Sequence, residues 1–62
     1  MRTMKSVLIV EDFVPFRALI SGLLQEGTDF QVVSEASDGL EAVHRARELN
    51  PNLILMDIGL PE

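Results

Sequence analysis

Residues 6–12 read SVLIVED, an aliphatic run that stops abruptly at two acids, Glu11 and Asp12. The run does not alternate between apolar and polar positions, which is typical of a strand covered on both faces. We therefore predict a central β-strand over Ser6–Val10. Such a strand needs a partner strand at each edge and a helix on each face, and the rest of the sequence contains candidates for these elements.

The segment after Asp12 predicts an amphipathic helix over about residues 14–26, with Pro15 in its first turn and Gly27 as its C-terminal stop. One set of residues recurs at helical spacing and is expected to be core facing the sheet, not a partner-binding surface: Phe16, Leu19, Ile20, Leu23 and Leu24. The opposite, solvated face is expected to carry Arg17, Ser21 and Gln25.

Two short segments predict the partner strands. Residues 31–37, QVVSEAS, alternate between apolar and polar positions, so we expect a strand at the edge of a sheet. Residues 53–56, LILM, predict a third strand that is buried on both faces and delivers Asp57 at its carboxyl end. As the last strand of the sheet, it would also be an exposed apolar edge.

The segment between these two strands predicts a second helix. Asp38-Gly39 predicts a turn before it, and Asn50-Pro51 ends it. Glu41 and Arg45, four residues apart, are expected to pair on the solvated side, where His44 is a surface residue. The apolar stripe of this helix consists of Leu40, Val43, Ala46 and Leu49.

The element order is therefore β-α-β-α-β. Right-handed crossovers give a parallel sheet, with one helix on each face if the strand order is 2-1-3. That is the order we expect, and it makes half of a doubly wound α/β fold. Ligands bind such sheets beyond the carboxyl ends of the strands, where strand order reverses. Adjacent strands run about 4.8 Å apart, so we expect Glu11, Asp12 and Asp57 to meet in one pocket. Three close carboxylates favour a bound cation, and oxygen ligands in a pocket open to water suit Mg²⁺.

Composition narrows the classes of function. The 62 residues contain 10 acidic and 5 basic side chains, a formal net charge of −5, and no cysteine. The chain is at most one domain, without disulfides or a thiolate metal site. The acidic balance argues against direct binding of nucleic acid, and no apolar run approaches the length of a membrane span. Without a secretory signal, we expect a cytoplasmic location.

Three motifs, in this order and spacing, resemble the receiver domain of bacterial two-component response regulators: VLIVED at 7–12, EASDGLEA at 35–42 and PNLILMDIGLP at 51–61. The resemblance implies that residues 1–62 are the N-terminal half of a flavodoxin-like receiver. It implies that Asp57 accepts a phosphoryl group from the phosphohistidine of a sensor histidine kinase. Pro61 matches the proline of the loop after that aspartate. The implied Mg²⁺ ligands are Glu11, Asp12, Asp57 and the backbone carbonyl of Gly59.

The resemblance also implies what these residues lack. The family's domain continues through later strands and helices, which supply a Ser or Thr and a lysine for the phosphoryl group and the face that signals to partners. In this sequence we expect Lys5 to be the only basic residue near a strand, at the wrong end of the first strand. We therefore expect a truncated receiver that is not an enzyme. As an isolated chain it would bind Mg²⁺ weakly and be phosphorylated poorly, with no catalytic residue beyond Asp57.

Other interpretations remain open. The chain could be an interaction module without phosphorylation, in which the third-strand edge recruits a second copy as a two-fold dimer. A nucleotide-binding half domain would need a Gly-rich loop after the first strand, where Glu11 and Asp12 stand instead. A haloacid-dehalogenase-like phosphatase would need a second aspartate where Gly59 stands. The three carboxylates could also serve only as a turn cap, at Asp57, and as helix-dipole partners.

Overall fold

The computed structural model of the chain describes residues 4–26 and 29–56. These residues form five elements: β1 (Lys5–Val10), α1 (Val14–Gln25), β2 (Phe30–Ala36), α2 (Gly39–Leu49) and β3 (Leu53–Met56). The strands are parallel and lie in the order β2-β1-β3. The predicted βαβαβ architecture and strand order are confirmed, with small shifts at the element ends.

The centre of the hydrophobic core is β1. Val7, Leu8 and Ile9 have no exposed surface, and Val10 is 5% exposed. Because successive side chains of a strand point to opposite faces, Leu8 and Val10 share one face. On that face they pack with Ala36 of β2 and with Ala42 and Ala46 of α2. The expectation that this strand is covered on both faces is confirmed.

The pairing of β1 with β2 contains an irregularity that the sequence did not reveal. The register shifts in the middle of the pair and leaves Val33 of β2 without a partner in β1. Such a bulge changes the face on which the following residues lie. Because of it, Ala36 lies opposite Val10 in the core. Glu35 lies on the other face, where it forms an ion pair with Arg17 of α1.

Local hydrogen bonds define both ends of α2. Asp38 is the N-cap, and its carboxylate accepts the Glu41 N–H at 2.8 Å. The Glu41 carboxylate in turn accepts the Ser37 N–H at 2.8 Å and lies 3.6 Å from Arg45, the predicted pair. Asn50 ends the helix in the left-handed conformation, with φ 47°, which asparagine tolerates well. The turn predicted at Asp38 is therefore the start of the helix.

The prediction for the buried face of α1 is partly wrong. Three residues of the expected core stripe are exposed: Phe16 (41%), Leu19 (55%) and Leu23 (61%). The less exposed side of the helix carries a different set at helical spacing: Arg17, Ile20, Ser21 and Leu24. The physical reason is that α1 packs mainly on β2, where Arg17 pairs with Glu35 at 2.9 Å. With this contact, the side of α1 that carries Arg17 faces the sheet, and the most apolar side of the helix is exposed.

The expected burial of β3 on both faces is also wrong. Its four side chains are 39% to 47% exposed. Both helices pack mainly on β1 and β2, so they leave the faces of β3 open. Its place at the sheet edge is as predicted. At its start, the side-chain Oδ1 of Asn52 accepts the Ser6 N–H at 2.8 Å, and the Asn52 N–H donates to the Ser6 Oγ at 3.0 Å.

The apolar stripe predicted for α2 is mostly exposed as well: Leu40 (73%), Val43 (49%) and Leu49 (42%). Ala42 and Ala46 are the residues of α2 that pack against the core.

Three smaller expectations concern single residues and membrane spans. Pro15 lies in the first turn of α1, and His44 is exposed on α2, both as predicted. The helix stop predicted at Gly27 lies outside the described residues. In the part of the chain that the structure describes, no helix has the length and apolar character needed to cross a membrane.

Removing the α2 cap should destabilise the fold measurably. We expect Asp38→Ala to lower the free energy of unfolding by about 1 kcal/mol, because the Glu41 N–H loses its acceptor. Asp38→Asn keeps an acceptor and should retain most of the stability. Urea denaturation followed by circular dichroism measures both. Equal losses in the two variants would contradict the capping role.

Candidate functional site

Two of the residues predicted to bind metal, Glu11 and Asp12, lie where β1 ends at the carboxyl edge of the sheet. Val10 pairs with Met56, so β1 and β3 end side by side at this edge. Glu11 and Asp12 follow β1 directly and are both described. The other predicted site residues lie outside the described part of the chain: Asp57, Gly59 and Pro61.

Glu11 is a buried carboxylate, with 4% of the residue exposed. Its backbone N–H donates to the Ala36 carbonyl at 2.9 Å, which continues the β1–β2 ladder by one residue. Its Oε2 accepts the Phe13 N–H at 3.0 Å. Its Oε1 is buried and has no hydrogen-bond partner in the described structure. Burying a carboxylate oxygen costs free energy unless a hydrogen-bond donor or a cation lies beside it.

Asp12 occupies a different environment from its neighbour, because it is exposed to solvent. The first turn of α1 contains no acidic residue, so neither acid lies within the helix. The suggestion that both acids complement the helix dipole is therefore limited to Glu11, which accepts the N–H of the N-cap residue Phe13. One carboxylate is thus fixed in place and the other faces water.

Arg17 is the residue of this edge that sequence reasoning missed. We expected it on the solvated face of α1, and Lys5 as the only cation near a strand. Instead, the Arg17 guanidinium lies at the carboxyl ends of β1 and β2, where it donates to the Glu11 carbonyl and to Glu35. The available signal was a second helical stripe, since Arg17 shares a spacing of three, four and seven residues with Ile20, Ser21 and Leu24.

The described residues do not by themselves form a metal site. Within residues 4–26 and 29–56, no three His, Cys, Asp or Glu side chains are grouped closely enough to hold a metal ion. The predicted third carboxylate, Asp57, is outside these ranges. The donor chemistry nevertheless fits a hard cation, because the free Oε1 of Glu11 and the exposed carboxylate of Asp12 are the oxygen ligands that Mg²⁺ prefers.

Comparison with known proteins agrees with this architecture. Residues 7–62 match the family model of the response regulator receiver domain. The chain is similar to the chemotaxis protein CheY of Listeria monocytogenes serovar 1/2a, with 41% identity over 59 residues that cover 95% of this chain and 49% of the relative. It is also similar to protein-glutamate methylesterase/protein-glutamine glutaminase 1 of Methanospirillum hungatei JF-1, with 44% identity over 55 residues, 89% of this chain and 16% of the relative. The chain is similar in the same way to protein-glutamate methylesterase/protein-glutamine glutaminase of Thermotoga maritima, with 44% identity over 55 residues, 89% of this chain and 16% of the relative.

These comparisons confirm the resemblance seen in the three motifs. The chain spans about half the length of the CheY relative and much less of the two esterases. The activities given in the names of these longer proteins therefore belong to those whole proteins.

Neutralising Glu11 should stabilise the metal-free chain. We expect Glu11→Gln to raise the free energy of unfolding by about 1 kcal/mol, because the folded state no longer buries an ionised group with one unpaired oxygen. Asp12→Asn is the matched control. Asp12 is exposed, so this change should stay within about 0.5 kcal/mol of the parent chain. Urea denaturation in the presence of a chelator compares the three proteins, and a loss of stability in Glu11→Gln would contradict the argument.

Proposed function

Because the chain belongs to the response regulator receiver domain family, we propose that it is a cytoplasmic phosphoacceptor segment of a two-component system. In this proposal, Asp57 accepts a phosphoryl group from the phosphohistidine of a sensor histidine kinase. Mg²⁺ is held by Glu11, Asp12, Asp57 and the backbone carbonyl of Gly59. The role is that of a signalling domain that receives a phosphoryl group, not of an esterase.

The observation that carries the proposal is the buried, unpaired Oε1 of Glu11. A purely structural carboxylate at this depth would be expected to use both oxygens. The strand register adds support, because Val10 and Met56 are paired and are bonded directly to Glu11 and Asp57 in the chain. The proposed acceptor and the proposed metal ligand therefore follow neighbouring strands at the same sheet edge.

The proposed phosphoryl transfer requires the protein mainly to position the Asp57 carboxylate against the phosphoryl group. A carboxylate oxygen of Asp57 would attack the phosphorus of the phosphohistidine, the N–P bond would break with its electrons going to the imidazole nitrogen, and an acyl phosphate would form. Such transfers depend mainly on positioning and on neutralising charge at the phosphoryl oxygens. A bound Mg²⁺ would supply that neutralisation. The acyl phosphate carries about two negative charges where the Asp57 carboxylate carried one, and this local change in charge would act as an electrostatic switch.

Phosphorylation by a small-molecule donor tests the acceptor. With acetyl phosphate and Mg²⁺, we expect a small fraction of the chain to gain one phosphoryl group, seen by intact-protein mass spectrometry. The yield should be low and the adduct short-lived, because the single lysine of these 62 residues, Lys5, starts β1, at the opposite end of that strand from Glu11. The adduct should be absent in Asp57→Asn and without Mg²⁺.

The matched control for this experiment is Asp38→Asn, which changes an aspartate that caps α2 and lies outside the proposed site. This variant should be labelled as well as the parent chain. Labelling that persists in Asp57→Asn would show that another side chain is the acceptor. If no Asp57-dependent adduct forms at a Mg²⁺ concentration that saturates the amide shifts of Glu11 and Asp12, the phosphoacceptor role is wrong.

A second candidate function is favoured by a separate observation, the exposure of β3. We propose that this edge can pair with β3 of a second copy, whether or not Asp57 is phosphorylated. The four side chains of β3 are apolar and 39% to 47% exposed. Strand edges of this kind readily pair with another chain. The net charge of −5 on each copy opposes the association, so it should strengthen as salt is added.

Sedimentation equilibrium over a dilution series, with circular dichroism alongside, tests this association. We expect a dimer at high concentration that loses secondary structure as it dissociates. Ile54→Lys should weaken the dimer by about tenfold or more, since it places a charge on the paired strand. Leu40→Lys, on α2 and already 73% exposed, is the control and should leave the dimer unchanged. A parent chain that stays folded and monomeric throughout the series would overturn the proposal.

A further inference from the structure

We propose that Arg17 is a positioning residue for the metal site, which it serves by fixing the peptide that carries Glu11. The inference rests on the proposed function. It deepens that function by naming a residue that touches neither metal nor phosphoryl group. The residue acts through three hydrogen bonds that join the ends of β1 and β2 to α1.

The three contacts come from one guanidinium. Its Nη1 donates to the Glu11 carbonyl at 3.0 Å and to the Ser37 Oγ at 2.9 Å. Its Nε donates to the Glu35 Oε1 at 2.9 Å, and the Arg17 side chain is only 16% exposed. We call this set of contacts the Arg17 bridge. A planar guanidinium can make such contacts in several directions at once, because its N–H donors have a fixed fork geometry.

The Arg17 bridge restricts Glu11 more than a surface ion pair would. The peptide N–H of Glu11 donates to the Ala36 carbonyl, and its carbonyl accepts from Arg17, so the residue is fixed on both sides. The side chain is held as well, because Oε2 of the carboxylate accepts the Phe13 N–H. The orientation of the unpaired Oε1 then follows from these bonds. Metal sites depend strongly on outer contacts that orient a ligand in this way.

Among the described residues, Arg17 forms its ion pair with Glu35 and not with the Glu11 carboxylate. The guanidinium pairs with Glu35, and its bond to Glu11 goes to the backbone carbonyl. The two possible roles of Arg17 predict opposite changes in Mg²⁺ affinity when the residue is replaced. If Arg17 acted only as a nearby cation, its removal would strengthen Mg²⁺ binding, because a repulsive charge is lost. If it positions Glu11, its removal weakens binding.

Titration of the 62-residue chain with MgCl₂, followed by amide chemical shifts in proton–nitrogen NMR spectra, separates the two cases. We expect Arg17→Gln to raise the Kd for Mg²⁺ by about tenfold. Arg17→Lys should give an intermediate value, because one ammonium group cannot make all three contacts. Arg45→Gln is the matched control. It removes the same charge and a more exposed ion pair, at 3.6 Å to Glu41, and should change the Kd by less than about twofold.

A metal-free readout keeps this test independent of the proposed function. The Phe13 amide reports on the Glu11 carboxylate through their 3.0 Å hydrogen bond. Without Mg²⁺, its chemical shift should move in Arg17→Gln, move less in Arg17→Lys, and stay unchanged in Arg45→Gln. If the parent chain binds no Mg²⁺ but Phe13 responds in this way, the proposed function fails, whereas the claim that Arg17 fixes the Glu11 carboxylate stands.

Two results would overturn the positioning role. One is a Phe13 amide that is equally unaffected in the Arg17 and Arg45 variants, and the other is a Kd for Mg²⁺ that falls in Arg17→Gln. If Arg17→Gln does not fold, Arg17→Lys and Ser37→Ala take its place. Both remove part of the bridge, and both should move the Phe13 amide. No movement in either variant would equally overturn the proposal.

Discussion

Complete burial of β1 is the constraint on which the remaining structure depends. Four consecutive residues, Val7–Val10, are almost inaccessible to solvent, so the strand must have a neighbour at each edge and cover on each face. The chain is still inside the protein when it reaches Glu11, which is 4% exposed. The Glu11 carboxylate is therefore buried because the residue directly follows the four core residues of β1. The candidate site is a direct consequence of the way the core is built.

Burying that carboxylate has an energetic cost, and the local contacts reduce it only in part. One oxygen of Glu11 has the Phe13 N–H as donor, and the other has none in the described structure. The nearest identified cation, Arg17, could have paired with this carboxylate but instead pairs with Glu35. An Arg17–Glu11 ion pair would have satisfied Glu11 and occupied its oxygens. The observed arrangement keeps one oxygen available, which is what a metal ligand requires and what a purely stabilising contact would not produce.

The sequence predicted the elements well because their signals are local. Aliphatic runs, Pro15 and Asn50 mark element bounds through backbone chemistry that does not depend on distant residues. Strand order 2-1-3 was expected as the order that, with right-handed crossovers, places one helix on each face of the sheet. The rotation of α1 could not be predicted in the same way, because two overlapping helical stripes exist and only contact with β2 selects one. The bulge at Val33 and the open faces of β3 likewise depend on which elements meet in space.

The two halves of the proposed site differ in how firmly they are attached to the core. Glu11 is held by a backbone bond to β2, by Arg17 and by its own bond to Phe13. Asp57 follows β3, a strand of four residues that has open faces and is joined to β1 by its ladder and by the Ser6–Asn52 contacts. The proposed metal ligand Glu11 therefore follows the four buried residues of β1, whereas the strand that precedes the proposed phosphoacceptor has open faces. A second copy or another part of a receiver domain packed on the open faces of β3 would support the strand that leads to the proposed phosphoacceptor, so the proposed chemistry depends on how β3 is covered as well as on how Glu11 is held.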